Sequence, residues 1–154
     1  MHAARSPFIR ITRHPYEEPY HLNLVVEASN GRQQGELEIY ANAKDLVEVA
    51  KDLRGFPSGR NEAIQWELGS EQPEHRFAFY YRFRVFQVAP TGRCAVELRF
   101  NNNQDPPGRE ILEFSIEAEP ADLDRLAELL RRFSQLEHRV LEWTVTDGQL
   151  REDP

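Results

Sequence analysis

Cysteine is nearly missing from this sequence, with Cys94 the only one in 154 residues. A lone thiol excludes an intrachain disulfide and any Cys-rich zinc site, and it points to a reducing, cytoplasmic setting. Long apolar runs are missing as well. Met1 to Ser6 leads into Phe8-Ile9-Arg10-Ile11 without the apolar core of a signal peptide, and no stretch approaches a bilayer-spanning length. No membrane association is expected. Basic charge is in deficit, with 19 Lys and Arg against 26 Asp and Glu and a net charge of −7. That balance argues against a nucleic-acid binder, whose affinity comes largely from basic surface, and it suits a basic protein partner. The sequence also lacks a Gly-rich phosphate loop, a nucleophile elbow and a kinase signature.

What is present is ordinary globular material, 40% hydrophobic and 29% charged. It lacks internal repeats and any Gly/Ser/Pro-rich linker, so residues 1–154 read as one domain. The ordered core is expected over about residues 7–146, followed by a polar tail at 147–154. Leu22, Leu24 and Val26 alternate with polar residues, as inward Leu37 and Ile39 do with outward Glu36, Glu38 and Tyr40, and Asn30-Gly31 between these runs predicts a β-hairpin. Phe8 to Arg13 makes a preceding strand. Asn42 supplies an N-cap for a helix whose stripe is Leu46, Val49, Ala50 and Leu53, ended by Gly55 and Pro57.

Ala63 to Leu68 reads as a strand, followed by a long aromatic one with Phe77, Phe79, Tyr81 and Phe83 inward. Tyr80, Arg82 and Arg84 face out, and a bulge is expected near Val85 to Val88. Cys94, Val96, Leu98 and Phe100 face inward on the return strand. Glu97 on its other face is placed to pair with the arginines. Leu112, Phe114 and Ile116 continue the sheet. Pro120 and Asp122 then open a second helix with the stripe Leu123, Leu126, Ala127, Leu130 and Phe133, and Val140 to Val145 adds a short last strand. The predicted class is α+β, with a mostly antiparallel sheet of about six to eight strands and two helices packed on one face.

Candidate chemistry is sparse. His2, His14, His21, His75 and His138 have no metal-ligand spacing, so they read as surface or structural residues, and no metal site or cofactor is predicted. Cys94 reads as a small core residue rather than a nucleophile. Glu67, Glu71, Glu74, Glu113 and Glu117 read as solvated surface rather than as an acid/base pair. Phe77-Ala78-Phe79 invites comparison with an RNA-stacking strand. However, Arg76 stands where that motif needs glycine and Arg82 where it needs an aromatic residue. The loop Asn101 to Gly108 offers many amides, all of which turn chemistry also explains. No catalytic residue is assigned, and an enzyme is not expected.

Asn30-Gly31, Gly35, Tyr40, Leu46, Leu53 and Phe56-Pro57, followed by Pro106-Pro107 and a closing helix from Pro120, resemble a group of small uncharacterised bacterial proteins. Their general build is similar to that of immunity proteins from bacterial toxin systems. The resemblance spans Tyr20 to Arg139, and it implies a compact acidic protein that acts by binding another protein. The expected function is therefore a non-enzymatic protein-binding module, immunity-like, with a basic partner. The alternative is a small-ligand-binding domain with a pocket between the aromatic strand and the helices. An uncovered sheet face or outer strand would also support a homodimer.

Overall fold

The computed structural model describes residues 6–58 and 63–154. The chain folds as β1 (Phe8–Glu17), β2 (His21–Ser29), β3 (Gln34–Ala41), α1 (Ala43–Leu53) and β4 (Ala63–Gly69). A 3-10 turn at Pro73–His75 leads to β5 (Tyr80–Gln87), β6 (Cys94–Asn101), β7 (Ile111–Ala118), α2 (Pro120–Phe133), β8 (Val140–Thr144) and β9 (Gly148–Arg151). The protein is α+β with antiparallel pairing throughout the described strands.

The nine described strands form two sheets rather than one. One has the order β3-β2-β1-β8-β9 and the other β4-β5-β6-β7. Each helix follows an edge strand and carries the chain from one sheet to the other, so the hairpin-linked meanders β1 to β3 and β4 to β7 stay separate. Splitting also relieves the twist that a single nine-stranded sheet would accumulate. The last two strands return to the first sheet beside β1, pairing Phe8 with Thr144 and Thr12 with Val140. The segment expected as a polar tail thus contains β9, whose Leu150 lies opposite Leu141 of β8. A four-residue strand with one apolar anchor gives little periodicity, which is why composition alone made it a tail.

Local signals explain the helix ends. Asn42 Oδ1 accepts from the Asp45 amide at 3.0 Å, and an Asp45 carboxylate oxygen accepts from the Asn42 amide at 3.1 Å, closing a capping box. At the other end Gly55 takes φ +77°, and its amide donates to Asp124 Oδ1 of α2 at 2.9 Å. Arg54 reaches Glu128 of α2 at 2.9 Å, so acids of the second helix anchor the end of the first through its Arg54 cation and Gly55 amide, while Lys51 in the last turn supplies positive charge at the negative end. Asp122 accepts from the amide of the N-cap residue Glu119 at 2.9 Å, so α2 opens at Pro120.

The apolar stripes of both helices and the inner rows of both sheets merge into one core. Trp143 and Phe133 are fully buried there, and the Trp143 indole donates to the Asp122 carbonyl at 2.9 Å. Two expectations fail on the aromatic strand. It begins at Tyr80, not Phe77, because the 3-10 turn and a left-handed Arg76 (φ 56°) occupy the preceding residues. Phe77 is consequently exposed. The expected bulge is also absent, since Tyr80 to Gln87 keeps one continuous register with both neighbours and Val85 points inward after Phe83.

Candidate functional site

The outer faces of the two sheets differ in how their charges are balanced. On the four-stranded sheet, Glu67, Arg82, Arg99 and Glu113 lie directly opposite one another across all four strands. Two arginines side by side would repel, and carboxylates separate them. Arg82 bonds Glu97 at 2.9 Å and Glu113 at 2.7 Å, while Arg99 bonds Glu71 at 2.8 Å. Arg84 lies 3.9 Å from Glu97 and its guanidinium sits over the Phe86 ring. The Tyr80 hydroxyl donates to Glu67. Burial first, then this carboxylate, pushes the phenol up to about 12. Arg82 and Arg99 are therefore neutralised within the face, and Glu97 pairs across to the arginines as its alternation predicts.

The outer face of the five-stranded sheet is less balanced. Arg10 bridges Glu27 at 3.0 Å and Glu142 at 3.4 Å, and Arg151 also pairs with Glu142. That leaves the edge strand β3, where Glu36 and Glu38 are exposed and take part in no ion pair among the described residues. Tyr40 follows on the same face, its ring edge-on to Tyr16 with centroids 6.0 Å apart, and Tyr20, in the turn between β1 and β2, is the most exposed large hydrophobic residue among the described residues at 77%. Uncompensated carboxylates beside exposed tyrosines make a surface of the composition that protein interfaces favour. Tyr40 was legible as outward-facing from its alternation. Tyr16 and Tyr20 were not, because the irregular register between His14 and Glu17 breaks the period at Tyr16, and Tyr20 lies in the turn after β1.

The Asn-rich loop has a structural job. Asn101 holds the Glu71 carboxylate at 2.6 Å and accepts from the Asn103 amide at 2.8 Å, while the Asn103 side chain donates to the Ser70 and Phe77 carbonyls at 2.8 and 3.0 Å. Partial burial acts to raise the Glu71 pKa, but the hydrogen bonds from Arg99 and Asn101 outweigh it and hold this carboxyl below the usual range. These contacts join the β4–β5 and β6–β7 connections around a cleft of about 410 Å³.

The other sequence candidates are dispersed. Cys94 is fully buried, its thiol donating to the Gly92 carbonyl at 3.1 Å, and burial with nearby Glu119 pushes its pKa up, away from the reactive thiolate. His14, His21 and His75 are exposed, and His138 is partly buried on the connection after α2. His2 lies outside the described residues. His75 Nδ1 sits 2.7 Å from Ser70 Oγ, a pair that no sequence pattern singles out. The serine oxygen also accepts from the Gln72 amide at 3.1 Å, as a turn-forming serine does. Glu113 and Glu117 belong to ion pairs with Arg82 and Arg93. Among the described residues no group of three or more His, Cys, Asp and Glu side chains converges for a metal, and no helix is long and apolar enough to cross a membrane.

The aromatic strand and the helices contribute to one core. Tyr81, Phe83 and Val85 share the core with Leu46, Leu126 and Phe133. No protein family, curated protein or solved structure matches the chain.

Proposed function

We propose that this protein is a non-enzymatic binding module that covers a basic site on another protein, in the manner of an immunity protein. The observation that carries the reading is the β3 edge. Among the described residues Glu36 and Glu38 are exposed and take part in no ion pair, on the same strand face as Tyr40, whose ring meets Tyr16. Elsewhere on both outer faces carboxylates are largely matched by arginines. Unpaired charge at an exposed site costs little in water, and it steers an oppositely charged partner. Tyrosines add buried apolar area and a hydroxyl at low entropic cost once the partner has docked. An edge strand also offers free backbone groups to an incoming chain.

The test is recovery of a partner from the source cells, with the intact protein as bait. A stoichiometric basic protein should co-purify, and the combination Glu36→Lys, Glu38→Lys and Tyr40→Ala should release it without shifting the melting temperature by more than about 3 °C. Recovery of no stoichiometric partner, or retention of the same partner by the triple variant, would count against the proposal.

A further inference from the structure

The geometry points to a second binding site, in the cleft beside the Asn-rich loop, for a small carboxylate carrying a flat apolar group. Arg76, Phe77, Asn103, Arg109 and Ile111 line this cleft. Its volume of about 410 Å³ lies in the range of small-molecule sites. The walls are fixed in advance, because the Asn103 amide crosses from one connection to the other and Asn101 holds both Glu71 and the Asn103 backbone. Preformed walls reduce the ordering cost of binding.

Two features distinguish the cleft from an ordinary loop junction. Arg76 (φ 56°) and Asn103 (φ 53°) are two of the three described non-glycine residues with positive φ, and both line it. Asparagine tolerates that region through its short side chain, but arginine has no such compensation, and a glycine at position 76 would relax the backbone. Keeping arginine there retains a guanidinium on the cleft at a local cost, the pattern expected where strain serves a site. The second feature is that neither Arg76 nor Arg109 takes part in an ion pair among the described residues. Arg109 has only a long hydrogen bond, 3.4 Å, to the Gln104 carbonyl.

Of the two carboxylates lining the cleft, Glu71 is matched by Arg99, which leaves Asp105 against two guanidinia. A guanidinium binds a carboxylate through a two-pronged, charge-assisted contact. Phe77 and Ile111, 52% and 49% exposed, supply the apolar surface for the rest of such a ligand. This site is independent of the β3 edge, and neither reading depends on the other.

Amide-resolved NMR titration of the intact protein with phenylacetate tests it, with neutral phenylacetamide and ring-free acetate as comparisons. Phenylacetate should give saturable shifts at residues 71–77 and 101–111 and bind more tightly than either comparison. Arg76→Gly, which relaxes the backbone, should keep the fold and weaken phenylacetate about tenfold, and Arg109→Gln should do the same. The inference is overturned by three results: no saturable shifts with phenylacetate, an equal response to phenylacetamide or acetate, or wild-type phenylacetate binding by both variants.

Discussion

Arg13 is the residue whose loss should test the fold most sharply. It lies on the inner row of β1, in line with Ile9 and Ile11, and is only 5% exposed. Its guanidinium donates to the His138 carbonyl from Nε at 3.1 Å and from Nη2 at 3.0 Å, to the Leu136 carbonyl at 3.2 Å, and to Glu18 at 2.5 Å. Leu136 sits in the left-handed region just after α2 (φ 62°). One side chain therefore holds the turn that aims β8 back at β1. Arg13→Met preserves the aliphatic stem and removes every donor. Two carbonyls would lose their partner, and Glu18, itself about one-fifth exposed, would lose its counter-charge.

Breaking a buried pair from one side costs about 3–5 kcal/mol, and rehydration of Glu18 should keep the loss near the lower limit. For a chain of this length that is a drop of roughly 10 °C in melting temperature. Arg13→Lys, which keeps the charge but loses the fork, should fall about midway. Urea unfolding followed by circular dichroism measures both variants. A loss below about 1 kcal/mol for Arg13→Met would refute the argument, because it would mean that the connection after α2 holds its shape without the guanidinium.

Gly69 has φ +80°, and a Cβ there would lie 2.0 Å from the Phe79 carbonyl oxygen, so Gly69→Ala should cost about 3 kcal/mol in urea unfolding. Gly148→Ala, whose Cβ would meet only the flexible end of Leu129 at 2.6 Å, should cost less than half as much, and equal costs would contradict the backbone-clash account. Tyr80 is raised from 10.0 to about 12 because burial and Glu67 favour its neutral form. Its contribution to stability should therefore be complete below pH 10 and be lost as pH rises through 12. Glu67→Gln should lower the Tyr80 pKa in a ring-carbon NMR titration, and an unchanged value would show that the carboxylate plays no part.

Much of the fold was legible in the sequence because it is governed by neighbours along the chain. Alternation placed Leu22, Leu24 and Val26 inward, Asn30-Gly31 marked the hairpin, and Asn42 and Gly55 bounded α1, all through forces acting within a few residues. The aromatic run misled at both ends. Phe77 and Phe79 continue the period-two pattern, but Arg76 has already turned the chain and neither lies in the strand. The Glu97 pairing was readable because facing residues in a hairpin follow from register. Of the candidate surface only Tyr40 and its acidic neighbours were readable, and of the cleft only the Asn-rich loop, since its other wall comes from Arg76 and Phe77 about thirty residues away in the chain.

The sequence by itself determined the α+β class, both helical stripes, the antiparallel hairpins and the core position of Cys94, since local periodicity and capping chemistry suffice for these. Only the tertiary structure decided that the strands divide into two sheets, that β8 and β9 close the first sheet beside β1, and which charges remain unpaired. Those outcomes depend on contacts such as Phe8 with Thr144 and Arg13 with His138, more than a hundred residues apart. No local pattern encodes which distant partner neutralises a charge, and among the described residues that pairing leaves Glu36 and Glu38 without an ion pair on one face and Arg76 and Arg109 without one beside a cleft.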